Sequence, residues 1–135
     1  KPITVTGLTA NDKTYDGSRV AALTIDSTFT DQIVASDVAG VSVTGRFSSK
    51  NVASDQVVAV SLLGDRSANY ALTGALSANI TTLESATWVG PAKEGQWFNP
   101  GNWAPTSNPT ALGAVPDLDN VANVVIPGNN TVTFN

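Results

Sequence analysis

Gln56-Val57-Val58-Ala59-Val60-Ser61-Leu62-Leu63 is the stretch that decides the fold class. Val58, Val60 and Leu62 recur at every second residue, the period at which an extended chain presents one face to a core. Val57, Ala59 and Ser61 take the opposite, less apolar face, which reads as the solvent side of a half-buried strand. The same period appears on either side of this stretch. Ile3 and Val5 alternate with Thr4 and Thr6 before Gly7 and the polar Asn11-Asp12-Lys13 break the run. Val41 and Val43 alternate with Ser42 and Thr44 before Gly45, Tyr70 and Leu72 continue the pattern, and Ala78-Asn79-Ile80-Thr81 reads as a closing strand. The helical signal is thin, and Thr30 to Val38, with Asp31 near its start, is read as one short helix or a turn. The expected fold is mainly β: a small antiparallel β-sandwich or β-grasp-like module.

Composition shifts after Leu83. From Glu84 onward come all three tryptophans, Trp88, Trp97 and Trp103, and six of the seven prolines. The Gly/Pro/Asn-rich setting argues against long regular strands before Asn123, after which Val124-Val125-Ile126 reads as a short apolar strand. Pro127-Gly128-Asn129-Asn130 is a turn signal, and Thr131 to Phe134 alternates again. The expected organisation is a β-module over residues 1–83 and a Trp-rich β extension over residues 84–135, an incomplete second module that leans on its neighbour. The chain reads as a piece of a longer polypeptide.

Composition excludes much chemistry before any motif is weighed. The chain has no Cys, no Met and no His. Thiolate and zinc-thiolate sites are gone, and so are Ser-His-Asp and Cys-His nucleophilic arrangements. The net charge is −4 with Lys and Arg scattered singly, so no basic patch is available for nucleic-acid phosphates or anionic membrane surfaces. No run approaches the ~20 apolar residues of a spanning helix. Charged residues make up only 13% of the chain, against the roughly 25% usual in globular domains. Polar Thr, Ser and Asn take their place, as suits strands joined by polar turns.

Certain landmarks carry a family resemblance. Ile3-Thr4-Val5-Thr6-Gly7-Leu8 is followed by Lys13-Thr14-Tyr15-Asp16-Gly17, then Gly45-Arg46-Phe47, Lys50-Asn51-Val52, Asn69-Tyr70-Ala71-Leu72 and Ala78-Asn79-Ile80-Thr81. In order and spacing, residues 1 to 82 resemble the YDG repeat of bacterial filamentous-haemagglutinin-like, two-partner-secreted surface proteins. One departure is Ala53, where the family has a Gly at a tight turn. Ala86-Thr87-Trp88, Gly95-Gln96-Trp97, Asn102-Trp103, Val115-Pro116, Asp119-Asn120-Val121 and Val125-Ile126-Pro127 resemble segments flanking β-helical passenger repeats. The resemblance implies a secreted, surface-exposed adhesin whose repeats adjoin one another, with no catalytic or cofactor residue to carry over. Physics gives some landmarks their own reason. Gly17 tolerates positive φ, Asp16 can bond back to a backbone amide, and Tyr15 packs.

Three constellations compete with a purely structural reading. Asp117, Asp119 and Asn120 form an oxygen-rich loop of the kind calcium favours, against a turn in which Asp and Asn satisfy backbone amides. Trp88, Trp97 and Trp103 are a candidate carbohydrate platform, against mutual packing as the core of a segment poor in aliphatics. Glu84 and Glu94 are the only glutamates and the only pair suited to glycoside hydrolysis, in a segment too short to build a deep cleft. An intramolecular Lys–Asn crosslink would draw on Lys13, Lys50 or Lys93, and no pattern selects its partner. Asn79-Ile80-Thr81 and Asn129-Asn130-Thr131 fit the short glycosylation pattern. In each contest the structural reading is favoured. The expectation is a non-enzymatic stalk module without cofactor, metal, nucleic-acid partner or membrane insertion. Its partners are neighbouring repeats of the same polypeptide, and the alternative is a module that binds host or matrix carbohydrate through the Trp segment.

Overall fold

The structure, a computed structural model, describes residues 1–91 and 95–134. Its strands, in chain order, are β1 (Pro2–Thr4), β2 (Leu8–Ala10), β3 (Lys13–Thr14), β4 (Val20–Ala21), β5 (Leu23–Ile25), β6 (Ser42–Phe47), β7 (Ala53–Leu63), β8 (Ala71–Thr73), β9 (Leu76–Thr81), β10 (Leu83–Trp88), β11 (Trp103–Pro105) and β12 (Val121–Val125). One α-helical turn, α1 (Ser27–Thr30), and three 3-10 turns, Val38–Gly40, Ser67–Asn69 and Pro100–Asn102, interrupt them. The chain is mainly β, as the period-two patterning requires.

Contacts gather the chain into two compact units. One comprises Lys1–Asp12, Arg19–Ser49 and Ser54–Asn79; the other comprises Lys13–Ser18, Lys50–Ala53 and the chain from Ile80 onward. The composition shift near residue 83 does not coincide with this division. The Trp-rich segment is completed by two loops from the first half of the chain, which bring Tyr15 and Asn51 to it.

In the first unit, β7 pairs antiparallel with β6, Val58 opposite Phe47 and Leu63 opposite Ser42. β4 pairs antiparallel with β6 on its far side, and residues 76–79 of β9 lie on the other side of β7. β2 and β5 form an antiparallel pair, while β1 and β8 run parallel. Along β7 the alternation is the expected one: Gln56 and Val58 are buried, Val60 and Leu62 half-buried, Val57, Ala59 and Ser61 exposed. The core holds Ile3, Leu8, Phe29, Ile33 and Tyr70, with Val43, Val60, Leu62 and Leu72 packed against it. Removing such side chains from water is the main driving term for a module without disulfides.

The helix falls earlier than expected. The Asp26 carboxylate accepts from the Thr28 amide at 2.8 Å and caps α1, whereas Asp31 stands at its C-terminal end. One turn suffices to seat Phe29 in the core, and the chain from 31 to 37 makes turns instead of helix. Ala53, where the resemblance has Gly, opens β7, and the chain takes a positive φ two residues later, at Asp55 (φ 52°). The Asp55 amide there donates to Asn79 Oδ1 at 2.8 Å.

In the second unit, β3 runs parallel to the end of β9, Lys13 opposite Ile80 and Thr14 opposite Thr81. β10 stands between β11, antiparallel to it, and β12, parallel to it. A six-residue strand so early in the Gly/Pro-rich segment was not expected. It forms because Leu83, Ala86 and Trp88 all have buried places to fill. Thr131 to Phe134 contributes a single bridge, Thr133 to Gln96, rather than a strand.

Candidate functional site

The polar residues of the second unit converge on Tyr15. β3 sets its backbone, whose amide donates to the Thr81 carbonyl at 2.8 Å. The ring is 1% exposed, and its hydroxyl donates to the Val115 carbonyl at 3.0 Å and approaches Asp117 Oδ1 at 3.4 Å. A buried tyrosine needs such a partner for its polar end. Asp16 then turns the chain: its Oδ1 accepts from the Ser18 amide at 2.9 Å and from the Lys13 ammonium at 2.9 Å. Gly17 follows at φ 77°, the left-handed conformation that glycine adopts without a Cβ penalty.

Around the tyrosine hydroxyl lies a clasp of amides and charges. Asn120, 1% exposed, accepts from the Val52 amide at 2.8 Å and donates to Asn51 Oδ1 at 3.0 Å and to Asp117 Oδ1 at 2.8 Å. The Lys50 ammonium meets the other Asp117 oxygen at 3.3 Å. Burial opposes ionisation of Asp117, but the Asn120 hydrogen bond and the Lys50 charge outweigh it and hold the carboxyl below its ordinary range. Asp16 is also held low, burial again being overcome, here by the Lys13 and Ser18 hydrogen bonds. Burial, then the Asp117 charge, pushes the Tyr15 phenol up, so it remains a neutral donor.

Asp117 and Asn120 direct their oxygens at protein donors, and Asp119 is exposed apart from them. Among the described residues no three acidic side chains converge as metal ligands. Within the loop Leu118 takes a positive φ of 49°.

The tryptophans are packed on one another. Trp88 and Trp103 are 2% and 0% exposed, with ring centroids 5.2 Å apart at 82°. Trp97, half-buried, meets Trp103 at 5.0 Å and 63°. Each indole N–H is spent on a backbone carbonyl: Trp103 on Trp97 at 2.6 Å, Trp97 on Pro116 at 3.1 Å, Trp88 on Pro91 at 3.2 Å. A sugar platform needs exposed, near-coplanar faces. The three rings meet edge to face, and two of them are buried. Glu84 is exposed on β10, while Glu94, its proposed partner, and Lys93 lie outside the described residues. Lys13 and Lys50 are held by Asp16 and Asp117. Asn79, in the glycosylation-like triplet, accepts from the Asp55 amide and donates to Asp12 from its own amide nitrogens.

Sequence reading placed Tyr15 in a core and Asp16 in a turn but did not foresee that Val115 and Asp117 meet the tyrosine hydroxyl. No local signal links a loop near residue 15 to one near residue 115.

Together these features define a mainly β module without disulfides, its aromatic and polar side chains turned on its own chain. Residues 1–81 match the family model of the YDG domain, and the chain belongs to that family. The three letters are those of Tyr15-Asp16-Gly17, the turn at the head of the clasp. No curated protein and no solved structure matches the chain.

Proposed function

We propose that the chain is a structural spacer of a long secreted surface polypeptide, of the filamentous-haemagglutinin-like adhesin type, that holds and displays neighbouring regions. One observation carries the reading. The side chains best equipped for chemistry or recognition, Tyr15, Lys50, Asp117, Asn120, Trp88 and Trp103, are all spent on internal contacts. A catalyst or lectin keeps such groups aimed at a pocket. Here they fasten chain segments that lie far apart in sequence, which suits a part that transmits load. Its partners are adjoining repeats of the same polypeptide, and stability in such arrays comes from each repeat and its nearest neighbours.

A glycan-array screen of the 135-residue chain, with Trp97→Ala beside it, tests the reading. Silence on the array, with a variant that unfolds at lower temperature, supports a spacer. Binding that disappears in a still-folded Trp97→Ala protein would make the chain a carbohydrate-binding module instead.

A further inference from the structure

In the second unit β12 runs parallel to β10, with Leu83 opposite Val121 and Thr87 opposite Val125, an offset of 38 residues. Further along, Gln96 bridges Thr133 in the same parallel sense, at an offset of 37. Trp97 donates its amide to the Thr133 carbonyl, and Thr133 donates to the Gly95 carbonyl, both at 2.8 Å. The Phe134 ring meets Trp97, again at an offset of 37, with centroids 5.4 Å apart. Strand, bridge and ring pair therefore follow the same parallel course, the bridge and ring pair one residue out of step with the strand. Residues 121–125 and Thr133 thus lie as a second layer along 83–87 and Gln96, as successive coils do in a parallel β-solenoid.

Burial falls from the first layer to the second. Leu83 and Ala86 are 8% and 0% exposed, while Val124, opposite Ala86, is 39% exposed and Phe134 is 71% exposed. The first layer is closed on its other side, because β11 pairs antiparallel with β10. The second layer is open: among the described residues, β12 has β10 as its one neighbour in the sheet. Val121-Ala122-Asn123-Val124-Val125-Ile126 holds no charge and no proline. Soluble proteins usually blunt a free strand edge with Lys, Pro or a bulge, since its unpaired amides and carbonyls invite another strand.

We propose that the outer edge of β12, continued by Thr133 and Phe134, is a docking layer for an extended, uncharged polypeptide segment that pairs parallel to β12 as a third layer. Backbone hydrogen bonds along the edge supply affinity. The columns Leu83–Val121, Ala86–Val124 and Trp97–Phe134 select β-branched and aromatic side chains at matching positions. The register favours this occupant over the β12 of a second copy. Two such edges related by a two-fold axis perpendicular to the sheet run antiparallel, and that breaks the parallel pattern already repeated at three points.

The experiment is an NMR titration of the 135-residue chain with a synthetic peptide spanning Asn120 to Phe134, spin-labelled at its amino end. The β12 amides are expected to shift, with Val121 broadened before Val125. At peptide concentrations of about ten times Kd, exchange of the outward β12 amides should slow about tenfold. Val124→Lys and, separately, Val125→Lys, both at half-exposed positions, should abolish binding with circular dichroism unchanged. Absence of shifts, broadening of Val125 first, or self-association of the chain through β12 overturns the proposal. No sugar and no adjoining repeat enters the titration, so its outcome is independent of the glycan array.

Discussion

Gly17 and Gly113 touch backbone to backbone: a Cβ on Gly17 would stand 2.0 Å from the Gly113 carbonyl oxygen. Both have positive φ, 77° and 115°. Gly17→Ala therefore adds a steric clash to a backbone conformation that alanine resists. The expected loss is about 2–4 kcal/mol of stability, read as a shift in the urea midpoint. Ser18→Ala, next to it, removes one hydroxyl contact to Asp16 and should cost less than about 1 kcal/mol.

Trp103 is fully buried between two other indoles, so truncation opens a cavity that the surroundings cannot fill. Trp103→Ala should cost about 3–5 kcal/mol and abolish the near-ultraviolet circular dichroism of the aromatic cluster. Trp97→Ala, at a half-buried position, should cost less in the same denaturant series. Equal losses would mean that the cluster does not pack as described.

Acid should loosen the clasp. Asp16 and Asp117 have folded-state pKa values below their unfolded ones. Their contribution is thus present above the unfolded value of about 4 and is lost as pH falls through the lower folded values. Thermal unfolding followed from pH 7 to pH 2.5 should show a falling midpoint below about pH 4, with a shallower fall in Asp117→Asn. Tyr15 has the opposite sign: its phenol is raised, so the stability it gives is complete below about pH 10 and declines above that. Tyr15→Phe should lessen the alkaline decline, to which the raised Tyr70 phenol also contributes.

Asn120 joins Val52, Asn51 and Asp117. Asn120→Ala leaves the Val52 amide without its acceptor and should cost about 1–3 kcal/mol. Asn120→Asp keeps an acceptor for Val52 but replaces the donor facing Asp117 with a second carboxylate. Its destabilisation should be larger at pH 7 than at pH 4, where repulsion between the two is relieved. Urea unfolding at the two pH values measures the difference.

Period-two alternation made the first unit legible, since Val58, Val60 and Leu62 advertise an inward face that no turn chemistry contradicts. Tyr15-Asp16-Gly17 was equally legible, because its roles are local to three residues. The helix was misplaced because a single turn leaves no apolar period to read, and its signal lies in one capping carboxylate, Asp26. The strand β10 was missed because glycine and proline around it outweighed Leu83, Ala86 and Trp88 in a local reading. Hardest to foresee was the clasp. Nothing in the immediate neighbourhood of Lys50 or Asn51 indicates that residues near 117 and 120 complete them.

The hydrogen bond from Tyr15 to Val115 bears on the order in which the chain can fold. Closing so long a loop yields nothing until both ends have met, and such distant pairings slow folding. A polypeptide emerging from its amino end holds Tyr15, Lys50 and Asn51 well before their partners Val115, Asp117 and Asn120 exist. The first unit can collapse on its own residues, whereas the second must wait for the chain beyond residue 120. Folding therefore has a natural pause, with two loops held in reserve until residues 115–120 arrive to close on them.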